Sequence, residues 1–273
     1  MMKESLEILA VELQEDLDSR ASRRIFAEGR GPNSLDEAYQ LQRALRVIRE
    51  NRGEKVVGFK IGFTSPAIRK RGAKTMGLSD SVHGYLWDSE SHDNGSKIDY
   101  RRLGIEGELG VRLLSTHGDD VSKWEVEFEP IIELHMLGWD GPPEDNLGRR
   151  GLELIGTNCI HSGVVHCDDS KRCLLGEIPL NIPMTVLIDG SQSEQVTLKE
   201  LKIGRDYGPV ATISWLLQTL KKENNGEDAL LKSGATVICS TPGSVHSIPP
   251  GVRVKVDFAS LETSCIATSP LNR

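Results

Sequence analysis

The protein has 273 residues, of which 38% are hydrophobic and 27% are charged. A chain of this length can bury a full core, in one large domain or in one domain with a small appendage, and its composition excludes a disordered, collagen-like or disulfide-stapled protein. The 33 basic and 40 acidic residues give a formal net charge of −7 without any long run of like charges. We therefore expect no nucleic-acid partner and favour small-molecule chemistry.

The sequence gives no sign of a membrane segment. It contains no apolar run of about 18 residues, the length that a membrane helix needs, and acidic residues interrupt the first 20 positions. We expect a cytoplasmic protein with no membrane partner. The five cysteines are expected to be free thiols.

The first part of the chain predicts a small helical region over residues 1–54. Leucines recur at helical spacing from Leu6 to Leu17, and Gly31 with Pro32 ends this segment. A capping box of Ser34 and Glu37 then predicts a second helix.

From residue 55 to residue 273 the pattern changes to short extended runs between turns, which predicts a β-rich body. A helix with an apolar stripe is expected at about 207–222. The predicted strands span 56–63, 105–114, 126–137, 184–189, 236–240 and 252–258.

The segment IEGELGV, residues 105–111, carries the first candidate site residues. As a strand it places Glu106 and Glu108 on one face, and its apolar residues on the other. Two carboxylates a few ångströms apart repel each other by about 4 kcal/mol at an effective dielectric constant of about 20. Inside a protein such a pair therefore needs a cation or a shared proton. The alternative is a strand face exposed to solvent.

Glu133 is a third candidate, because it interrupts the apolar run PIIELHML. A lone carboxylate is costly to bury there, and a metal ion would compensate it. Three carboxylates form a hard oxygen site that favours Mg²⁺ or Mn²⁺ over zinc. The alternative places Glu133 and His135 on the outer face of a strand.

The segment GFKIGFTSP, residues 58–66, supplies a complementary charge. Lys60 alternates with apolar residues and lies between Gly58 and Gly62, which leave room for a substrate to approach the ammonium. Ser65 and Pro66 then predict the start of a short helix that ends at Gly72, with free backbone N–H groups for an anion. A surface lysine followed by an ordinary loop is the alternative.

Small polar groups elsewhere are candidates for binding substrate or holding a water molecule. Ser240 and Thr241 belong to a turn-rich run that can line a pocket mouth, and Ser162 and His83 are further candidates. A cluster of cysteines and histidines over residues 159–173 does not have the spacing of a zinc site. The sequence also lacks Walker A, HExxH and GxSxG motifs.

Together these segments resemble the 2-keto-4-pentenoate hydratase and 4-oxalocrotonate decarboxylase group of the fumarylacetoacetate hydrolase superfamily. The resemblance extends from SLDEAYQLQ (34–42) through GFKIGFTSP, IEGELGV and PIIE (130–133) to TNCIHSGVV (157–165) and GPVATISWLL (208–217). It implies an α+β protein with a mixed β-roll body, the C-terminal-like fold of that superfamily, a small N-terminal helical region and assembly as a homo-oligomer.

The resemblance also implies that Glu106, Glu108 and Glu133 hold Mg²⁺ or Mn²⁺ and that Lys60 lies beside a bound 2-oxo or 2-hydroxydienoic acid. The first hypothesis for function is a hydratase of a 2-hydroxypenta-2,4-dienoate-like compound in aromatic catabolism. Three alternatives stay open: a decarboxylase of a 2-oxo diacid, an acylpyruvate carbon–carbon hydrolase, and a non-catalytic metal-binding assembly protein.

Overall fold

The computed structural model describes residues 5–19, 24–99, 103–118, 120–137, 147–223, 225–240 and 243–268. In these ranges the chain forms six α-helices and sixteen strands. The helices are α1 (Leu6–Asp18), α2 (Arg24–Ala27), α3 (Leu35–Asn51), α4 (Pro66–Thr75), α5 (Leu147–Gly156) and α6 (Gly208–Glu223). The strands are β1 (Val56–Gly62), β2 (Val82–Trp87), β3 (Ser91–His92), β4 (Lys97–Asp99), β5 (Leu103–Leu113), β6 (Glu125–Met136), β7 (His161–Val165), β8 (Lys171–Leu174), β9 (Pro183–Ile188), β10 (Ser191–Thr197), β11 (Lys202–Ile203), β12 (Asp206–Tyr207), β13 (Thr236–Ile238), β14 (His246–Ile248), β15 (Arg253–Phe258) and β16 (Leu261–Thr268).

Helices α1, α2 and α3 share a small apolar cluster of their own. The Ser34 hydroxyl accepts a hydrogen bond from the backbone N–H of Glu37, as the predicted cap requires, and Ser5 caps α1 in the same way. In the part of the chain that the structure describes, no helix is both long and apolar enough to cross a membrane.

Two sheets pack face to face around the main core. The larger sheet has the strand order β2-β1-β13-β5-β6-β7-β3, with β14 also paired to β5 and β8 to β6. The second sheet has the order β10-β9-β15-β16-β4. They approach so closely at Gly107 that a Cβ atom there would lie 2.6 Å from Val186 and 3.1 Å from Val256. The opposite face of the larger sheet does not pack on the second sheet, so polar side chains can occupy it.

The central pair of strands, β5 and β6, fixes which side chains occupy that free face. The strands are antiparallel and Glu106 stands directly opposite Glu133. Apolar residues of β5 such as Ile105 and Leu109 join the core. Since side chains alternate along a strand, Glu106 and Glu108 project from the opposite face, as the sequence predicts.

The prediction of a mixed α and β protein is confirmed, because helices and several sheets make up the described chain. The β-roll, and the division into residues 1–54 and 55–273, remain predictions. Each strand predicted from the sequence has a counterpart within three residues at either end. The other ten strands of the described ranges, β2 among them, and helix α5 have no counterpart among these predicted elements.

Helix α4 corrects one expected boundary. It continues to Thr75 instead of ending at Gly72. A Cβ atom at Gly72 would lie 2.4 Å from the Phe63 ring and 3.0 Å from the carbonyl oxygen of Leu78. Gly72 thus lies within α4, at a point where the helix passes too close to Phe63 and Leu78 for a larger residue to fit.

The two glycines that flank Lys60 have different physical roles, and this gives a stability test. A Cβ atom at Gly58 would lie 1.8 Å from the carbonyl oxygen of Thr236 on the neighbouring strand β13, whereas at Gly62 the nearest atom, a methyl of Val82, is 3.4 Å away. We expect Gly58→Ala to lower the free energy of unfolding by about 3 kcal/mol or more, and Gly62→Ala by less than about 1 kcal/mol. Urea unfolding of both variants measures this, and equal losses would contradict it.

Candidate functional site

Three neighbouring strands bring the predicted charged residues together on the free face of the larger sheet. Lys60 comes from β1, Glu106 and Glu108 from β5, and Glu133 from β6. Strand β13 pairs with residues 110–112 of β5, and β14 pairs with residues 103–105. The two glutamates of β5 thus lie between the two ladders, where the neighbouring chain departs from the sheet.

Lys60 and Glu133 form a buried ion pair. Lys60 Nζ lies 2.8 Å from Glu133 Oε1, and the two side chains are 6% and 0% exposed. Nδ1 of His161 lies 2.8 Å from the same carboxylate oxygen. Burial alone would raise the pKa of Glu133, but the Lys60 ammonium, with smaller effects of the histidines, lowers it well below its ordinary value.

Lys60 is held in its charged form by the same arrangement. Burial by itself would lower the pKa of the ammonium, yet the negative charge of Glu133, with smaller effects of Glu108 and Glu106, raises it above its ordinary value. The ammonium also donates a long hydrogen bond of 3.5 Å to the carbonyl oxygen of Cys159. In the protein without metal, a positive charge therefore lies inside the acidic cluster.

Glu108 has the opposite electrostatic environment. It is almost fully buried, and burial together with the charges of Glu133 and Glu106 raises its pKa well above the ordinary value. Lys60 does not compensate all three carboxylates. Oε2 of Glu108 and Oε2 of Glu133 are buried with no hydrogen-bond partner among the described residues.

His135 adds a nitrogen donor to this cluster. Its Nε2 lies 3.1 Å from Glu106 Oε2 and 3.9 Å from Glu133 Oε2. Glu106, Glu133 and His135 each offer one ligand atom, and these three atoms lie within 4.8 Å of one another. Unpaired buried carboxylate oxygens beside a compact donor set fit a divalent cation.

A left-handed turn covers this group of side chains. Asn158, Cys159 and Ile160 have φ values of 56°, 54° and 56°, and such conformations cost on the order of 1–3 kcal/mol each in residues other than glycine. The side chain of Asn158 holds the turn in place, since its Oδ1 accepts from the N–H of Tyr85 at 2.7 Å and its Nδ2 donates to the carbonyl oxygen of Tyr85 at 2.9 Å. His161 follows directly and so reaches Glu133.

A cavity of about 140 Å³ opens onto the cluster. Its buried end is formed by Lys60, Glu106, Glu108 and His135. Its other walls are mostly apolar and come from α4, α5, the left-handed turn and the segment after β13. These remaining lining residues are Gly62, Phe63, Ile68, Arg71, Gly72, Thr75, Met76, Val82, Leu154, Cys159, Ile160, Ser240 and Val245. The space is suited to a small ligand with a polar head and an apolar middle.

The structure separates the predicted substrate-binding residues. Ser240 lines the cavity. Ser65 caps α4 by accepting from the N–H of Ile68, so its predicted cap is confirmed. Ser162 donates to the carbonyl oxygen of Ile160 at 3.3 Å and is not among the described lining residues. Thr241 lies outside the described residues.

His83 lies on the other side of β2 from the cavity lining. Its ring stacks on Tyr39 with centroids 4.8 Å apart, and its Nε2 lies 3.3 Å from Glu223 Oε1. Among the described residues that line the cavity, β2 contributes Val82 instead. A direct substrate contact for His83 thus stays a prediction that this geometry does not support.

Two histidines of the cluster have no functional role that the sequence pattern predicts. The sequence places His135 only on a possible outer strand face, although its spacing of two from Glu133 puts both side chains on one face. His161 belongs to the group of cysteines and histidines over residues 159–173 that does not have the spacing of a zinc site. Its contact with Glu133 depends on the left-handed turn, which the residue types of 158–160 do not indicate.

Comparison with known proteins identifies curated relatives. No family model matches the chain. Over 166 residues the chain is 26% identical to the 2-keto-4-pentenoate hydratase of Burkholderia vietnamiensis (strain G4 / LMG 22486), which covers 56% of this chain and 58% of the relative. Over 78 residues it is 36% identical to the 4-oxalocrotonate decarboxylase of Pseudomonas putida, covering 28% of each chain. The chain thus spans less than two thirds of the length of these relatives.

A solved structure matches over nearly the whole chain. The 4-oxalocrotonate decarboxylase from Pseudomonas putida G7, complexed with magnesium and adipate, has a TM-score of 0.78 at 18% identity and covers 98% of both chains. The chain has the fold of 4-oxalocrotonate decarboxylase. Other matching solved structures are the same decarboxylase complexed with calcium and acetate, and the fumarylpyruvate hydrolase from Pseudomonas aeruginosa in complex with Mn²⁺ and pyruvate, which has a TM-score of 0.53 at 13% identity and covers 77% of this chain and 88% of that chain. The resemblance stated from the sequence is confirmed, since the relatives include proteins named 2-keto-4-pentenoate hydratase and 4-oxalocrotonate decarboxylase.

The raised pKa of Glu108 gives a pH test of metal-free stability. When the pKa of a carboxyl group is higher in the folded state than in the unfolded state, its contribution to the free energy of unfolding is fully present below about pH 4. This contribution is lost as the pH rises through the folded-state pKa. In chelator, wild type should therefore become less stable than Glu108→Gln as the pH is raised from 5 to 8. Urea unfolding measures the difference, with the exposed Glu7→Gln as a control that keeps the wild-type dependence. Parallel curves for wild type and Glu108→Gln would contradict the assigned environment.

Proposed function

We propose that the protein is a divalent-metal-dependent lyase that hydrates a small 2-hydroxydienoic acid to a 4-hydroxy-2-oxo acid. The observation that carries this proposal is the meeting of Lys60, Glu106 and Glu108 at the buried end of a cavity with apolar walls, with Glu133 paired to Lys60 behind them. The relatives named as hydratases support the choice of reaction. A cytoplasmic location and assembly as a homo-oligomer remain part of the proposal.

Glu106, Glu108 and Glu133 would hold Mg²⁺ or Mn²⁺. The two unpaired buried carboxylate oxygens of Glu108 and Glu133 support this assignment, because a cation would compensate the charge that Lys60 leaves uncompensated. A bound divalent ion supplies Lewis-acid stabilisation of negative charge on a 2-oxo or 2-enol oxygen, worth several kcal/mol. His135 would orient Glu106 through the 3.1 Å contact between them.

Lys60 would carry the proton chemistry of the site. It lines the cavity, and its Nζ is held between Glu133 Oε1 and the carbonyl oxygen of Cys159. An ammonium fixed in this way can donate a proton from Nζ to the substrate and recover it afterwards, and Glu133 would hold the ammonium less tightly if its own charge were shared with a cation. The apolar walls exclude bulk water and strengthen this electrostatic effect.

Decarboxylation of a 2-oxo diacid is the second candidate. It needs the same buried cluster, and the apolar walls favour loss of CO₂ from a carboxylate that is taken out of water. The 36% identity to a decarboxylase over 78 residues also supports it. Hydration instead needs a water molecule at the distal end of the substrate, for which Ser240 is the predicted residue that lines the cavity.

One screen separates these reactions. Purified protein with Mg²⁺ or Mn²⁺ is incubated with a 2-hydroxypentadienoate, a 2-oxohexenedioate and an acylpyruvate in ¹⁸O-water. Hydration places label on the distal hydroxyl of the product, decarboxylation releases CO₂, and hydrolysis yields two carboxylic acids. Turnover of none of the three, despite metal binding, would replace the enzyme proposal with the metal-binding assembly protein.

The proposed donor set predicts different effects of two neighbouring substitutions. If three carboxylates hold the ion, Glu108→Gln should weaken Mg²⁺ binding by about 100-fold or more, whereas His135→Gln should weaken it by about tenfold or less. Isothermal titration calorimetry measures both affinities. A larger loss in His135→Gln would instead favour the compact set of Glu106, Glu133 and His135.

Lys60→Met should lower kcat by about 100-fold or more, because the proton donor is removed. Metal affinity should be kept, since the carboxylates remain. Steady-state kinetics and calorimetry on the same preparation test both statements. Lys55→Met, an exposed lysine just before β1, removes an equal charge and should leave kcat unchanged. An unchanged kcat in Lys60→Met would remove Lys60 from the mechanism.

A further inference from the structure

Helix α3 contacts the edge strand β2 through three long polar side chains. These side chains are spaced by four and by three residues, which places them on one face of the helix, and each meets one of three alternate residues of β2. The pairs are Gln42 with His83 through a hydrogen bond, and Arg46 with Tyr85 and Arg49 with Trp87 through cation–π contacts. The helix therefore supports the strand that closes one edge of the larger sheet.

Gln42 also binds a second element. Its Nε2 donates to the carbonyl oxygen of His83 at 3.0 Å and to that of Ile155, in the last turn of α5, at 2.9 Å. The side chain is fully buried, and its Oε1 has no hydrogen-bond partner among the described residues. Because an unpaired buried amide oxygen costs free energy, packing alone would favour an apolar side chain here. The two donated hydrogen bonds are therefore what Gln42 contributes.

The two carbonyl groups that Gln42 binds lie next to the left-handed turn at 158–160. Ile155 precedes the turn on α5, the helix from which the turn begins. The carbonyl oxygen of His83 also accepts from Sγ of Cys159, in the middle of the turn, at 3.2 Å. Gln42 thus joins the helix before the turn to the strand that the turn contacts.

The turn reaches the catalytic site through the carbonyl group of Cys159. This oxygen accepts the 3.5 Å hydrogen bond from Lys60 Nζ, which is at the long limit for such a bond. The other contact of the ammonium is Glu133 Oε1 at 2.8 Å. A small displacement of the turn would therefore remove one of the two groups that orient Lys60.

We propose that Gln42 is a positioning residue for the proton chemistry of Lys60, acting through the left-handed turn. This inference rests on the proposed function, since it takes Lys60 as the proton donor. Gln42 holds α5 and β2 together, Asn158 and Cys159 bond the turn to β2, and the Cys159 carbonyl orients Lys60. Helix α3 is then part of the support of the active site.

Gln42→Met removes both donated hydrogen bonds with little change in side-chain length, and Gln14→Met is its matched control. Gln14 is buried on α1, donates to Asp18 of the same helix at 2.8 Å and also has an unpaired Oε1 within the described ranges. With Mg²⁺ and the substrate that the screen identifies, we expect Gln42→Met to lower kcat by about tenfold. KM and the Kd of Mg²⁺ should change by less than about twofold, because the carboxylates on β5 and β6 stay in place.

Gln14→Met should keep the wild-type kcat. The positioning role is overturned by an unchanged kcat in Gln42→Met, by an equal loss in Gln14→Met, or by a loss that appears only in KM.

Labelling of buried thiols tests the same link without any substrate. Cys159 lies in the turn, whereas Cys239 follows β13 and Cys265 lies on β16, and all three are buried. Labelling with N-ethylmaleimide, followed by peptide mass spectrometry, should be about tenfold or more faster at Cys159 in Gln42→Met than in wild type. The rates at the other two thiols should change by less than about twofold. Equal acceleration at all three would mean a general loosening of the fold and would overturn the proposal, as would an unchanged rate at Cys159.

The two measurements separate this inference from the proposed function. If Cys159 responds as expected but wild type turns over none of the substrates of the screen, the proposed function fails and the link from Gln42 to the turn stands. If Gln42→Met does not fold, Gln42→Asn decides by the same measurements, because its amide is too short to reach both carbonyl groups.

Discussion

The contact between Lys60 and Glu133 is the interaction on which the site depends. Both side chains are almost fully buried, so neither charge is stable there without the other. The pair also fixes the remaining electrostatics, because Glu133 then stays ionised and Glu108 becomes the carboxylate whose charge is uncompensated. One lysine beside three carboxylates leaves a net negative cluster, and this excess charge is what a divalent cation would neutralise.

Two features of the larger sheet position this cluster: the register between β5 and β6, and the gap between the ladders that β13 and β14 form with β5. The alignment of Glu106 with Glu133 is a property of the β5 and β6 ladder. The departure of the chain between β13 and β14 leaves that part of β5 between two ladders, where Lys60 of β1 reaches Glu133. The opposite face packs on the second sheet, so the rigid core holds the strands that carry the charged side chains.

Local patterns in the sequence were sufficient for part of this arrangement. Alternation within IEGELGV predicted that Glu106 and Glu108 share a face, and the same argument placed Lys60 opposite its apolar neighbours. The pairing of Glu106 with Glu133 could not be predicted in this way, because register depends on the connection between β5 and β6 and on the packing of the whole sheet. The role of His161 depends on three left-handed residues in succession, a conformation that tertiary contacts impose against local preference.

Those left-handed residues also explain why the site is enclosed. The turn at 158–160 is unfavourable by itself. It is stabilised by the Asn158 side chain, which forms hydrogen bonds with both the N–H and the carbonyl oxygen of Tyr85 on the edge strand β2, as a neighbouring strand would. A Cβ atom at Gly84 would lie 2.7 Å from Asn158 Oδ1, so the glycine is what allows this approach. The strained turn in return supplies the Cys159 carbonyl to Lys60 and directs His161 to Glu133. The strained backbone and the buried ion pair are therefore coupled, because the Cys159 carbonyl and the His161 ring, both positioned by the turn, stabilise Lys60 and Glu133.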